Sequence, residues 1–230
     1  MIKVMGRVEI GVLLVVALLF GTGVYFSFAD HAFYREKYVV EDGFIEWLTV
    51  VGLLASMVVC GRRFVKLKGK RSFPFMMVTG LLTVFFLFGA GEEISWGQRL
   101  FDVESSEFFK ENNAQSETNL HNMVVGGKKI NKMIFGTGFA LILLSYLFVV
   151  TPLYRKNEKA RRFFINFGVP IPQNYHIAAY FVLLVVVEGM MESPKRGELT
   201  EFVGSFIVFL NLLFPYNKEI YDAKVEGSQV

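Results

Sequence analysis

The sequence predicts an all-α fold: a polytopic membrane helical bundle of about six transmembrane helices, with both termini cytoplasmic. Three observations carry that reading. Hydrophobic residues make up 53% of the 230, with 25 Phe against only 6 Pro, more apolar than soluble domains of this length. Apolar runs of about 17–25 residues recur, the length that crosses a bilayer core. The loops between the runs alternate between basic and acidic. The runs are continuously apolar, so the alternation of an outer-membrane barrel is missing. An open sheet could not satisfy its edges in hydrocarbon.

Segment 1 runs from about Val8 to Ala29, after Lys3 and Arg7. Ser27 and Ala29 fit a small-residue cleavage rule, but the apolar core is longer than that of a signal peptide, so a retained helix is expected. A mixed-charge loop, Asp30 to Asp42, holds His31. Segment 2, about Gly43 to Cys60, carries Glu46 one turn inside its start. Six cations follow it, Arg62 to Arg71, with no acid among them. Segment 3 runs from Pro74 to about Gly89, and its helix is expected to continue through a polar stretch to Phe101. Residues 91–127 hold seven acids against two cations, Arg99 and Lys110. Segment 4 is about Ile130 to Val150, followed by a second basic loop from Arg155 to Arg162. Segment 5 is about Tyr175 to Met191. A tight turn, Ser193 to Gly197, leads to segment 6, about Leu199 to Phe214. Residues 1–215 are expected to form one transmembrane domain, and 216–230 a polar, frayed cytoplasmic tail.

The excess of Lys and Arg in cytoplasmic loops sets orientation. The two basic loops follow segments 2 and 4, so both fall on one side if all six segments cross. The acidic 91–127 loop then faces outward, in a bacterial inner membrane. The single cysteine, Cys60, rules out an intrachain disulfide and reads as an inert lipid-facing or packing residue. No glycine-rich phosphate loop occurs, so no nucleotide site is expected. The basic clusters fit membrane topology better than nucleic acid, leaving membrane lipids and a membrane-protein partner as the expected associates. The Gly126-Gly127 and Gly136-Thr137-Gly138 groups suit close helix packing.

The topology gathers acids at the outer face. Glu46 starts segment 2 there, Glu92 and Glu93 end segment 3, Glu188 and Glu192 lie near the end of segment 5, and Glu201 starts segment 6. Glu188 and Glu192 share a helix face at i, i+4. Glu92, Ser95 and Arg99 form a stripe if the helix continues, and Glu117 and His121 share a face if theirs is helical. So many carboxylates in a dry place share protons, pair with Arg99, Lys195 or Arg196, or bind a cation. A divalent metal ion held by Glu92, Glu93, His121, Glu188 and Glu192 is one expectation, and it could activate water. A metal-free glutamate base is the other. The catalytic candidates are Glu92 and Glu93 as base or ligands, His121 as acid, base or ligand, and Arg99 as an anion clamp. The plainer alternatives are a helix cap at Glu92-Glu93, a loop anchor at His121 and its asparagines, and ion pairs from Glu188 and Glu192 to Lys195 and Arg196.

The stretch Gly91-Glu92-Glu93-Ile94-Ser95-Trp96-Gly97-Gln98-Arg99, followed by Asn112-Asn113-Ala114-Gln115-Ser116-Glu117-Thr118-Asn119-Leu120-His121-Asn122, resembles the signature of a family of bacterial multi-pass membrane proteins. That resemblance implies a polytopic membrane protein and supplies no reaction. A weaker likeness is to the glutamate-dependent, CAAX-type intramembrane proteases, through Glu92-Glu93, His121 and His176 in that order. Gly97 stands where their Glu-Glu pattern has an arginine, and Glu117 replaces the phenylalanine before their first histidine. The functional expectation is a hydrolase or transferase acting on a lipid or lipid-linked substrate. The alternatives are a non-catalytic assembly subunit and a proton- or cation-coupled transporter.

Overall fold

The computed structural model describes residues 5–125, 128–129 and 138–223. Lys3, the Gly126-Gly127 pair, Gly136, Thr137 and residues 130–137 of segment 4 lie outside the described residues. The helices are α1 (Arg7–Ala29), α2 (His31–Phe33), α3 (Phe44–Leu67), α4 (Phe73–Glu93), α5 (Glu107–Asn112), α6 (Phe139–Ser145), α7 (Thr151–Lys156), α8 (Glu158–Asn166), α9 (Asn174–Met190) and α10 (Arg196–Leu213). Single π turns follow α2 at Tyr34–Tyr38 and join α6 to α7 at Tyr146–Val150. The only sheet among the described residues is a two-residue hairpin, β1 (Val124–Val125) with β2 (Lys128–Lys129).

Among the described residues three helices are long and apolar enough to cross a membrane: α1, α3 and α4. Helix α9 is apolar but only 17 residues long. The outer surfaces of α1 and α4 carry exposed apolar side chains such as Leu14, Leu18, Leu81 and Val84, as lipid-facing helices do.

Helix α3 is central, packed between α4 and α10, and α10 in turn meets α9 and α1. The α3–α10 approach is close because a Cβ on Gly52 would strike Ser205. One core joins Val16, Tyr34, Tyr38, Val187, Leu199 and Phe202, tying α1 and the π turn to α9 and α10. Tyr38 donates its phenol to the Leu19 carbonyl of α1 at 2.6 Å. Cys60 is buried with Phe86 and Leu212, as its apolar setting predicts.

The two basic loops lie at one end of the bundle, together with the chain beyond α10. Arg63 donates to the Leu212 carbonyl and stacks its guanidinium 3.5 Å over the Tyr221 ring. Arg71 donates to Ile220 O and Asp222 O at 3.0 and 2.9 Å. Arg155 donates to Pro172 O at 2.8 Å and covers the Tyr216 ring. Ser72 donates to Asn166 O at 2.8 Å, joining the first basic loop to the second. Residues 216–223 are therefore not frayed. Asn217 is fully buried, accepts from Ile171 N and donates to Val169 O, each at 2.9 Å. Ile220 and Tyr221 pack on Leu67 and Phe75.

Candidate functional site

Helix α4 stops at Glu93 rather than continuing to Phe101. Ser95, Trp96 and Gly97 have φ of 46°, 56° and 77°, three successive left-handed residues. At the two that are not glycine this backbone costs about 1–3 kcal/mol each, so neighbouring contacts must hold it. They do. The turn folds Trp96 back along the helix, where its indole N–H donates to Glu92 Oε1 at 2.9 Å. Gly91 makes room for the indole, since a Cβ there would lie 2.8 Å from the ring. The Glu92-Ser95-Arg99 helical stripe is consequently not formed.

Glu92 is an anchor. Its Oε2 accepts the backbone N–H groups of Leu120 and His121 at 2.6 and 3.0 Å. With the indole that makes three donors on one buried carboxylate, which fixes residues 120–121 over the end of α4. Ser95 is fully buried, donates to Glu117 Oε2 at 2.6 Å, and accepts from Asn119 Nδ2 at 2.9 Å. Gln98 Oε1 accepts from Ser105 Oγ and Thr118 N at 2.9 and 2.7 Å. Asn113 Nδ2 donates to Asn119 O at 2.9 Å. The asparagine-rich stretch is a turn-forming anchor, not a helix, so Glu117 and His121 do not share a helical face.

Arg99 does not stand free to clamp an anion. Its guanidinium pairs with Asp42 and, at 3.2 Å, with Glu117. Lys195 lies 3.6 Å from Glu41, whose other partner is Gln115 Nε2 at 2.8 Å. These pairs close the 39–42, 95–122 and 193–196 segments on one another at one end of the bundle.

Beneath that lid lies the acid cluster. Glu93 from α4, Glu46 from α3, and Glu198 and Glu201 from α10 are within electrostatic reach of one another, and Glu93 and Glu198 also of His121. Glu46 has one oxygen committed, accepting Asp42 N at 2.7 Å. Glu201 lies at the surface of α10, with Glu93, Glu198 and Glu46 as its charged neighbours.

His121 Nδ1 faces Glu92 Oε2 at 3.8 Å, an electrostatic rather than a hydrogen-bonded separation. Burial works against its imidazolium, but Glu92, Glu93 and Glu117 outweigh burial and hold its pKa above the usual histidine value. Asn122 Nδ2 lies 3.1 Å from its Nε2.

Four of the expected acids thus gather with His121: Glu46, Glu92, Glu93 and Glu201. Glu188 and Glu192 do not. Helix α9 ends at Met190, so the i, i+4 face is broken, and Glu188 pairs instead with Arg196 at 2.9 Å. The expected five-residue metal set is therefore not assembled. Among the described residues no group of three His, Cys, Asp or Glu side chains is placed to hold a metal ion. Glu198 is the residue that sequence reasoning missed. Its spacing of three from Glu201 puts both on one helix face, and that signal could have found it. His176 is fully buried at the opposite, basic end, where its Nδ1 accepts from Gln173 N at 3.2 Å.

No family model, no curated protein and no solved structure matches this chain.

Proposed function

We propose that this chain is a membrane-embedded hydrolase, with Glu93 as general base and His121 as general acid, acting on a neutral or cationic group of a lipid-linked substrate. The observation that carries the reading is the convergence of Glu46, Glu93, Glu198 and Glu201 with His121 at one end of the α3–α4–α10 bundle. Glu93 accepts a proton from water, and the oxygen of that water bonds to the carbonyl carbon of an ester or amide. His121, whose acidic neighbours raise its hold on a proton, gives that proton to the departing oxygen or nitrogen. The bond from carbon to that atom breaks, and proton transfer from Glu93 to His121 resets the pair. Such acid–base pairs contribute roughly 10²–10⁴-fold each.

The charge at the site selects the substrate. Several acids close together disfavour a phosphate, and Arg99 is engaged with Asp42 and Glu117. A carboxyl ester, an amide or a cationic headgroup suits the cluster better. In the full reading the chain crosses a bacterial inner membrane six times, with the acidic end outward and the basic end cytoplasmic. The shared position of both basic loops and the 216–223 segment supports that orientation.

The test is isotopic and needs no prior substrate. Membranes of cells producing the chain are incubated in ¹⁸O-water and their lipids and lipopeptides are read by mass spectrometry. An ¹⁸O-labelled product made by the parent and lost with Glu93→Gln and His121→Gln is the expected result. Identical labelling in all three would sink the hydrolase and leave an assembly subunit as the better reading.

A further inference from the structure

Water-facing loops put polar groups outside and apolar ones inside. The loop after α4 buries several polar side chains and exposes large apolar ones between its charges. Ser95, Ser105, Asn113 and Asn119 are buried and bonded within it. Trp96, Leu100, Phe101, Val103, Phe108 and Leu120 stand outside, from 46% exposed at Leu120 to 77% at Phe101. Satisfied polar groups inside, with large apolar side chains and charges alternating outside, suit the boundary between hydrocarbon and headgroups.

Two further observations set the depth. Asp102, Glu104 and Glu107 are exposed between the apolar side chains, so the loop cannot sink into the bilayer core, where each charge costs several kcal/mol. Trp96 begins only three residues past the end of α4, whose Val84, Phe85 and Leu87 are exposed. The apolar rim is therefore continuous with the outer surface of a helix long and apolar enough to span. Trp47, at the start of α3 on the same end, is also exposed, and tryptophan favours the headgroup level.

We infer that residues 96–120 form an interfacial lipid seat: the apolar rim enters the leaflet at the acidic end, and the intervening acids stay in the headgroup water. The occupant is the bilayer itself. The inference stands whether or not the acid cluster is catalytic.

The experiment uses the full chain in phosphatidylcholine bilayers, with Cys60→Ala as background. Single cysteines at Phe101, Val103, Phe108 and Glu104 carry a nitroxide, and collision with oxygen is compared with collision with a water-soluble nickel chelate. Oxygen, enriched in hydrocarbon, is expected to dominate at 101 and 108, and nickel at 104. Nickel dominance at every position would put the loop in water and overturn the inference. Protection from both reagents at 101 and 108 would mean that protein covers the rim, which overturns it equally. Positions 101, 103 and 108 are read independently, so a label that perturbs one site leaves the others to decide.

Discussion

The two ends of the bundle handle buried charge in opposite ways. At the basic end each inward-turned arginine is spent on backbone. Arg63 serves the Leu212 carbonyl, Arg71 serves Ile220 and Asp222, and Arg155 serves Pro172. Carbonyls at the end of a helix need donors, and an aromatic face under a guanidinium adds further attraction. At the acidic end Glu93, Glu198 and Glu201 face one another, with His121 beside Glu93 and both Lys195 and His121 beside Glu198 as the countercharges. Satisfied charge holds a fold together, whereas like charges gathered close together are kept at a cost and mark the place where chemistry is to be sought.

The sharpest break in that comparison lies within the acidic end, between two adjacent residues. Glu92 has three donors, whereas among the described residues none donates to Glu93. Glu92→Ala would orphan two backbone N–H groups and an indole, and is expected to cost about 3 kcal/mol or more, read as a lower unfolding midpoint in detergent. Glu93→Gln removes a like charge from beside Glu198 and Glu201 and a countercharge from beside His121, so its midpoint is expected to fall far less than that of Glu92→Ala while labelling from ¹⁸O-water is lost. Equal destabilisation by the two would erase the distinction between anchor and base.

At the basic end the matching contrast is Arg63 against Arg62. Arg63→Ala leaves the Leu212 carbonyl without its charged donor and is expected to cost about 2–3 kcal/mol. Exposed Arg62 has no such task, and its alanine variant should stay within about 0.5 kcal/mol. Similar losses at both would mean that the basic end works as a field rather than through named bonds.

A smaller effect is expected at Gly91. Valine there pushes the indole off its seat, an overpacking of about 1–3 kcal/mol, visible as a shift in Trp96 fluorescence as well as in the midpoint.

The subtlest test is pH. Folding raises the His121 pKa, so the folded state binds its proton more tightly than the unfolded one. That contribution is fully present below the unfolded value of about 6.5 and is lost as pH rises through the raised folded value. The midpoint of the parent is expected to approach that of His121→Gln as pH climbs above about 6.5 and through the raised folded value. A gap that widens with pH would reverse the assignment of His121 as the protonated partner.

Much of the bundle was legible in the sequence because its signals are local. Apolar runs gave the helices, and Glu46, Glu93 and Glu201 were placed by nothing more than their positions near helix ends. What was not legible depends on distant partners. Asp42 claims Arg99 across 57 residues, which no spacing rule reveals. The left-handed turn at Ser95-Trp96-Gly97 is stabilised by Leu120, His121 and Glu117 from farther along the chain, so a helix carried through to Phe101 was the natural local reading. The residues after Pro215 look polar, yet Asn217 is buried because Val169 and Ile171 supply its partners.

The order of helices along the chain has a consequence for biogenesis. Glu46 and Glu93 belong to the α3–α4 hairpin, which is synthesised early, whereas Glu198 and Glu201 arrive on α10, near the end of translation. Chains grow from the N-terminus, so the hairpin enters the membrane before the repulsive partners exist, and the full cluster is assembled only when α10 docks against α3. A chain stalled before Arg196 is thus expected to insert its early helices and remain catalytically silent. Labelled product from such a stalled chain would show that the α10 acids are dispensable. The acid cluster is thus completed only when almost everything around it is in place.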